Sequence, residues 1–149
     1  MWHSNQLGWF TLQVIREKGT VIYGKDLRQE IPTASRVILF EEISTACQTI
    51  RQHGRGGGLH SLDWLLTAAR LLLWLEESRL GSKSEAADWG HVHARGAWRE
   101  LMPRAQEIRL HPELVSTLDG QEWLKLLTEP IREAGAELES ELLAQGCRH

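Results

Sequence analysis

The chain has 149 residues, a length that fits one domain able to bury a sizeable core. Hydrophobic residues make up 42% of the sequence and charged residues 25%, which is the balance of an ordinary soluble globular protein. The net charge of −3 gives no electrostatic reason to expect nucleic acid as a partner.

Cysteine usage and the N-terminal sequence bear on the compartment. Cys47 and Cys147 form no metal-binding or redox motif, which favours a reducing cytoplasm. Residues 1–20 lack a basic region followed by an apolar run, so we expect no signal peptide. The most apolar segment of the chain, residues 61–78, is short for a membrane span and carries several charges, so we expect no membrane partner.

The first third of the chain is predicted to be mostly helical. Residues 7–18 form an apolar helical pattern that Gly19 ends, and residues 24–31 fit one or two further turns. A longer helix is predicted from about residue 33 to residue 52. Its apolar face is expected to contain Val37, Phe40, Ile43, Cys47 and Ile50. Residues 53–58 contain four glycines and are predicted to be a flexible, non-helical loop.

The segment over residues 61–78 is the predicted central helix. It is apolar around so much of its circumference that it should be a core helix with neighbours on several sides. Its polar residues share one side, and they are Asp63, Thr67, Arg70 and Glu77. Because an arginine in so apolar a helix needs an anionic partner or a cavity, Arg70 either binds a ligand or pairs with Asp63 or Glu77.

A turn at Leu80 and Gly81 follows the central helix, and Ser82 and Glu85 then have the spacing of a capping box that opens another helix. Residues 97–110 are predicted to be helical, with a restart at Pro103.

One long terminal helix is predicted over residues 119–146, N-capped by Asp119 and kinked at Pro130. Together these elements predict an all-α, antiparallel bundle of five to seven helices that forms a single domain over residues 1–149.

Catalytic chemistry of the familiar kinds has no counterpart in the sequence. The chain has four aspartates, and none lies close to another in sequence, so no Mg²⁺-binding carboxylate pair is predicted. His91 and His93 are too isolated a pair for a zinc site. Arg55 and His60 have the Arg-x₄-His spacing that resembles the HEPN ribonucleases, where the pair sits on a helix. Three glycines between them favour a loop instead.

The central helix and the helix after it resemble a known family. Trp64-Leu-Leu-Thr-Ala-Ala-Arg70, the turn at Leu80-Gly81 and Ser82-Lys-Ser-Glu-Ala-Ala-Asp-Trp89 look like the helical C-terminal domain of aminoglycoside (streptomycin/spectinomycin) 3″-adenylyltransferases. The resemblance covers roughly residues 21–110. It implies that Arg70 and Lys83 contact the phosphates of a nucleotide, and that the acceptor substrate lies near His60, Asp63 and Trp64.

The sequence departs from the family at three points. The family's metal-binding catalytic half is absent from these residues. Residues 53–60 are basic and glycine-rich where antibiotic-binding members carry tryptophan and acidic residues. An aromatic residue that contacts adenine in some members falls near Arg109.

These features lead to two functional hypotheses. In the first, the chain is the nucleotide- and substrate-side module of a nucleotidyltransferase system and is inactive alone. It holds no cofactor itself, and ATP and Mg²⁺ are used together with a catalytic domain or subunit on a small-molecule acceptor. In the second, the chain is a helical interaction or antitoxin-like protein without a ligand. A homo-oligomer is compatible with either hypothesis.

Overall fold

The structure is a computed structural model that describes residue 13 and residues 35–146. The helices predicted over residues 7–18 and 24–31 lie outside the described residues, except that Gln13 is helical and buried.

Every regular element in the described part of the chain is helical, which confirms the predicted all-α class. Within residues 35–146 there are six α-helices: α1 (Arg36–His53), α2 (His60–Glu77), α3 (Lys83–His93), α4 (Met102–Leu110), α5 (Leu118–Lys125) and α6 (Thr128–Gly146). Two 3₁₀ helices flank α4: Ala97–Leu101 precedes it and Pro112–Ser116 follows it. None of the helices described is long and apolar enough to cross a membrane.

Helix α1 begins at Ser35, whose Oγ accepts a hydrogen bond from the N–H of Ile38 at 3.3 Å. Its buried positions are Leu39, Ile43, Cys47 and Ile50, which recur every three or four residues. The prediction that Val37 belongs to this face is wrong, because Val37 is 66% exposed and Leu39 occupies the buried stripe instead.

Helix α2 is the centre of the core, as its composition predicted. Eleven of its 18 residues are buried, and it packs against α3, α4 and α6. It ends at Ser78, which has a left-handed backbone (φ 54°) and donates its N–H to the carbonyl of Trp74 at 2.7 Å.

The capping box predicted at the start of α3 is present. The N–H of Glu85 donates to Ser82 Oγ at 3.1 Å, and Glu85 Oε1 accepts the N–H of Ser82 at 3.3 Å. Further along α3, a Cβ on Gly90 would lie 3.2 Å from the Cβ of Ala69, so the axes of α3 and α2 approach closely there. The close contact at Gly90 holds α3 against α2.

The terminal segment differs from the prediction of one helix over residues 119–146. It forms α5 and α6, with a break at residues 126–127 where Leu127 is 1% exposed. Pro130 falls in the first turn of α6, where its missing N–H removes no intrahelical bond, so the chain restarts a helix instead of bending one. The N-cap of α5 is Thr117, whose Oγ1 accepts the N–H of Gly120 at 3.0 Å, and not Asp119.

Helix α6 runs antiparallel to α1. A Cβ on Gly135 would lie 2.7 Å from Cγ2 of Ile50, and a Cβ on Gly54 would lie 2.8 Å from Cγ2 of Ile131. Both glycines therefore permit a close approach that a larger residue would prevent. The last helix thus closes the core on the first described one.

An apolar groove lies between the start of α1 and the end of α6 in the described part of the chain. It measures about 640 Å³ and is lined by Val37, Phe40, Leu142 and Leu143. We also predict from the sequence that Trp2 and Trp9 form an exposed apolar docking surface. Both tryptophans lie outside the described residues.

Candidate functional site

Lys83 is the first residue of α3 and stands at an end that attracts anions. The capping box uses the N–H groups of Ser82 and Glu85, while those of Lys83 and Ser84 have no intrahelical acceptor by their position in the helix. The dipole of α3 adds partial positive charge at the same end. The first turn of α3 can therefore bind a phosphate through its backbone, with the Lys83 ammonium beside it.

An ion pair joins Lys83 to the start of α2. Lys83 Nζ donates to Asp63 Oδ1 at 2.9 Å, and the two side chains are 32% and 54% exposed. Asp63 lies in the first turn of α2, so the pair connects the N-terminal turns of two core helices. Both groups remain open to solvent and to a ligand.

A second cation approaches the same turn from α4. Arg109 Nη1 donates to Ser84 Oγ at 3.3 Å, and Arg109 is exposed. Sequence reasoning did not bring these two residues together, although it singled out Arg109 as the position near which some family members have an aromatic residue. Within the described residues, three cations therefore lie at the first turn of α3: Lys83 in the turn itself, Arg109 from α4, and Arg79, whose Nη1 lies 3.5 Å from Glu85 Oε2.

Arg70 has a different environment from Lys83. It is half-buried in α2, and among the described residues its Nε has no hydrogen-bond partner. Burial lowers the pKa of the guanidinium, and the Glu42 carboxylate on α1 acts in the opposite direction. The alternative that Arg70 pairs with Asp63 or Glu77 is wrong, because Asp63 binds Lys83 and Glu77 accepts from Trp89 Nε1.

The three residues expected on the acceptor side lie within one turn of α2. His60, Asp63 and Trp64 have i, i+3 and i+4 spacing, which places them on neighbouring positions of the helix surface. His60 and Asp63 are exposed, whereas Trp64 is half-buried and packs against the core. Arg70 lies seven residues after Asp63 on the same side, roughly 10 Å along the helix axis.

The glycine-rich loop in front of α2 is non-helical over residues 54–58 as predicted, whereas His53 belongs to α1. The loop is anchored to its surroundings. The N–H of Gly56 donates to Thr128 Oγ1 at 2.8 Å, and the N–H of Gly57 donates to the carbonyl of Leu124 at 2.9 Å. Arg55 belongs to this loop and His60 begins α2, so they do not share a helix. That arrangement does not match the helix-borne pair that the ribonuclease alternative requires.

Metal chemistry has no counterpart in this part of the chain. Within residue 13 and residues 35–146, no group of three or more His, Cys, Asp or Glu side chains is placed to hold a metal ion. The described site consists of several cations, the N-terminus of α3 and two carboxylates, Asp63 and the capping residue Glu85.

The described residues form a helical bundle with a capped first turn, rich in cations, beside its central helix. A family model described as "Aminoglycoside adenylyltransferase, C-terminal domain" matches residues 29–133, which is more than half of the chain. The chain belongs to this family, and the resemblance inferred from the sequence is confirmed. The match begins after the predicted start at residue 21 and extends past residue 110 into α6. No curated protein and no solved structure gives a significant match.

Proposed function

We propose that the chain is the nucleotide- and acceptor-facing module of a nucleotidyltransferase related to the aminoglycoside adenylyltransferases. The observation that carries this proposal is the family match over residues 29–133, which includes the whole of α2 and α3. In this function the chain binds ATP phosphates and an acceptor, and a catalytic domain supplies the carboxylates that hold Mg²⁺.

Phosphate binding is assigned to the first turn of α3 and to Arg70. Lys83 is a compact ammonium that bonds one Asp63 oxygen and has further N–H donors for a phosphate. Arg70 lies further from solvent, and its unsatisfied Nε is a donor for an anion that enters between α1 and α2. Positive charge at these positions stabilises the leaving pyrophosphate electrostatically while the metal is held elsewhere.

Acceptor binding is assigned to the exposed turn that contains His60, Asp63 and Trp64. The Asp63 carboxylate favours a cationic acceptor, such as an amino sugar, because opposite charges attract across a surface that is only partly solvated. The half-buried Trp64 ring provides an apolar wall beside it. The class of acceptor is therefore a small, positively charged molecule.

The test of phosphate binding is a titration of the full chain with MgATP, followed by amide chemical shifts. We expect the largest shifts in the first turn of α3, and we expect Lys83→Ala to weaken ATP binding about fivefold or more, equivalent to ~1 kcal/mol. The matched control is Lys125→Ala, because Lys125, like Lys83, is a lysine with a carboxylate neighbour, Glu122 at 3.3 Å. Lys125→Ala removes one positive charge, as Lys83→Ala does, but on α5.

The melting temperatures of the two variants should remain close to that of the native chain, because both lysines lie at the surface. Equal ATP affinity in Lys83→Ala, Lys125→Ala and the native protein would refute the proposal and leave the ligand-free interaction module as the explanation of the fold.

A further inference from the structure

The ion pair between Lys83 and Asp63 joins two residues that the proposed function assigns to different ligands. Lys83 is expected to bind nucleotide phosphate, and Asp63 is expected to bind a cationic acceptor. In the structure the two side chains form an ion pair with each other, because Lys83 Nζ lies 2.9 Å from Asp63 Oδ1. A phosphate at Lys83, or a cation at Asp63, therefore competes with the other side chain of the pair for its charge and its hydrogen bonds.

We infer that Asp63 competes with phosphate for Lys83, and that a cationic acceptor bound at Asp63 removes this competition. Nucleotide and acceptor then strengthen each other's binding, because each frees the side chain that the other needs. Coupling between two ligands is reciprocal by thermodynamic necessity. This inference rests on the proposed function, and it adds an energetic link between its two sites.

The packing of the helices locates this competition in the side chains. Helices α2 and α3 are in close contact, with a Cβ on Gly90 only 3.2 Å from the Cβ of Ala69. Ala86 and Ala87, which follow Lys83 by one turn, are buried in the core. The backbones that carry Asp63 and Lys83 are thus held by the core, and the pair opens by side-chain rotation alone.

The exposure of the pair sets the size of the effect. Because Lys83 is 32% and Asp63 is 54% exposed, the pair belongs with surface ion pairs. Such pairs change affinities about two- to fivefold, equivalent to ~0.4–1 kcal/mol. A polyphosphate carries several negative charges and competes with one carboxylate successfully, so the pair tunes binding without preventing it.

The experiment is a titration of the full chain with inorganic tripolyphosphate at constant ionic strength, monitored by amide chemical shifts. Asp63→Asn represents the state in which a cation has neutralised Asp63, and it should bind tripolyphosphate two- to fivefold more tightly than the native chain. Asp63→Glu keeps the charge and should retain the native affinity. Asp119→Asn makes the same charge change on α5 and should have a smaller effect than Asp63→Asn.

Lys83→Ala and the double variant Asp63→Asn/Lys83→Ala separate the inference from the proposed function. If Asp63 acts through Lys83, the two proteins should have the same affinity, because the competitor matters only while the lysine is present. If Lys83→Ala weakens tripolyphosphate binding but Asp63→Asn leaves it unchanged or weakens it, the inference is overturned and the proposed function is supported. If Lys83→Ala leaves tripolyphosphate affinity unchanged, both the inference and the proposed function are overturned. The same holds if neither the native chain nor Asp63→Asn binds tripolyphosphate.

Discussion

Arg70 carries a charge in a position where the surrounding helices restrict water. Burial is the largest influence on its pKa and lowers it, while Glu42 offsets part of that effect. Its buried Nε has no hydrogen-bond partner within the described residues. A buried donor without a partner costs about 1–3 kcal/mol, so Arg70 is a residue whose charge opposes folding. A buried guanidinium donor without a partner in the described residues is compatible with binding an anion.

The stability test for Arg70 is its replacement by Met, which keeps a long apolar stem and removes the charge. We expect the free energy of unfolding of Arg70→Met, measured by urea denaturation, to equal that of the native chain or exceed it by up to about 1 kcal/mol. Arg70→Ala should be less stable than Arg70→Met, because it also loses the packing of the stem. A loss above about 3 kcal/mol in Arg70→Met would instead indicate a buried ion pair with Glu42.

At the scale of elements, the loop over residues 54–58 shows how glycines can make a connection rigid. A Cβ on Gly56 would lie 2.4 Å from the carbonyl oxygen of Leu124, which is backbone that has little freedom to move. The same loop donates hydrogen bonds to Leu124 and Thr128 at the junction of α5 and α6. The start of α2, with His60 and Asp63, is positioned through this contact.

Two alanine substitutions in the loop should therefore have opposite outcomes. Gly56→Ala should destabilise the protein by about 1–3 kcal/mol, because its methyl group overlaps the backbone of α5. Thermal unfolding should then occur roughly 3–10 °C lower. Gly58→Ala is the matched control, since a Cβ there has no atom within 4 Å, and its melting temperature should be nearly native. Equal losses in both variants would show that chain flexibility, and not the close approach, determines the effect.

Sequence reasoning succeeded for elements whose determinants are local. The Ser82–Glu85 capping box and the buried helix α2 follow from residue spacing within one or two turns, and both are present. The break at residues 126–127 depends on packing of Leu127 into a core assembled from distant helices, so periodicity along one segment did not reveal it.

The candidate site also has some features that local spacing predicts and others that depend on packing between helices. That Asp63 lies on the polar side of α2 could be read from the spacing of its residues. Its ion pair with Lys83 depends on how α2 and α3 cross, which spacing does not specify. The position of Glu42 opposite Arg70 likewise follows only from the packing of α1 beside α2.

At the scale of the whole molecule, carboxylates connect α2, the segment after α3 and α6. Glu137 Oε1 accepts the N–H of Gly96 at 2.8 Å and Trp98 Nε1 at 3.0 Å. Arg95 Nη2 lies 3.5 Å from Glu76 and 3.6 Å from Glu141. Burial and the neighbouring Glu141 raise the pKa of Glu76, and Arg95 counteracts them. Arg95 therefore lies close to two carboxylates, Glu76 and Glu141, and its single positive charge can neutralise only one of them.

This arrangement predicts the pH dependence of stability. A carboxyl group whose pKa is raised on folding favours the protonated state, so its ionisation lowers stability as pH rises from the unfolded value, about 4.5, through the raised value. Glu76→Gln should therefore melt above the native protein at pH 7, and the difference should vanish below pH ~4. We expect a small shift, because solvent screens the group.

The matched control for Glu76 is Glu100→Gln, which makes the same change in a pair with Arg99 whose two side chains are 44% and 64% exposed. Its melting temperature should follow that of the native chain across the same pH range. A Glu76→Gln variant that is less stable than the native protein at pH 7 would mean that the bond to Arg95 outweighs burial.

The antiparallel contact of α6 with α1 has a consequence for synthesis on the ribosome. Helices α1 and α2 are translated before α6, so the surfaces that α6 covers, including Ile50, stay open until residues 128–146 have left the exit tunnel. Because a domain generally folds as a unit, the nascent chain holds exposed apolar surface for most of its synthesis. A product that terminates before Thr128 lacks this cover, and we expect quality-control proteases to remove it.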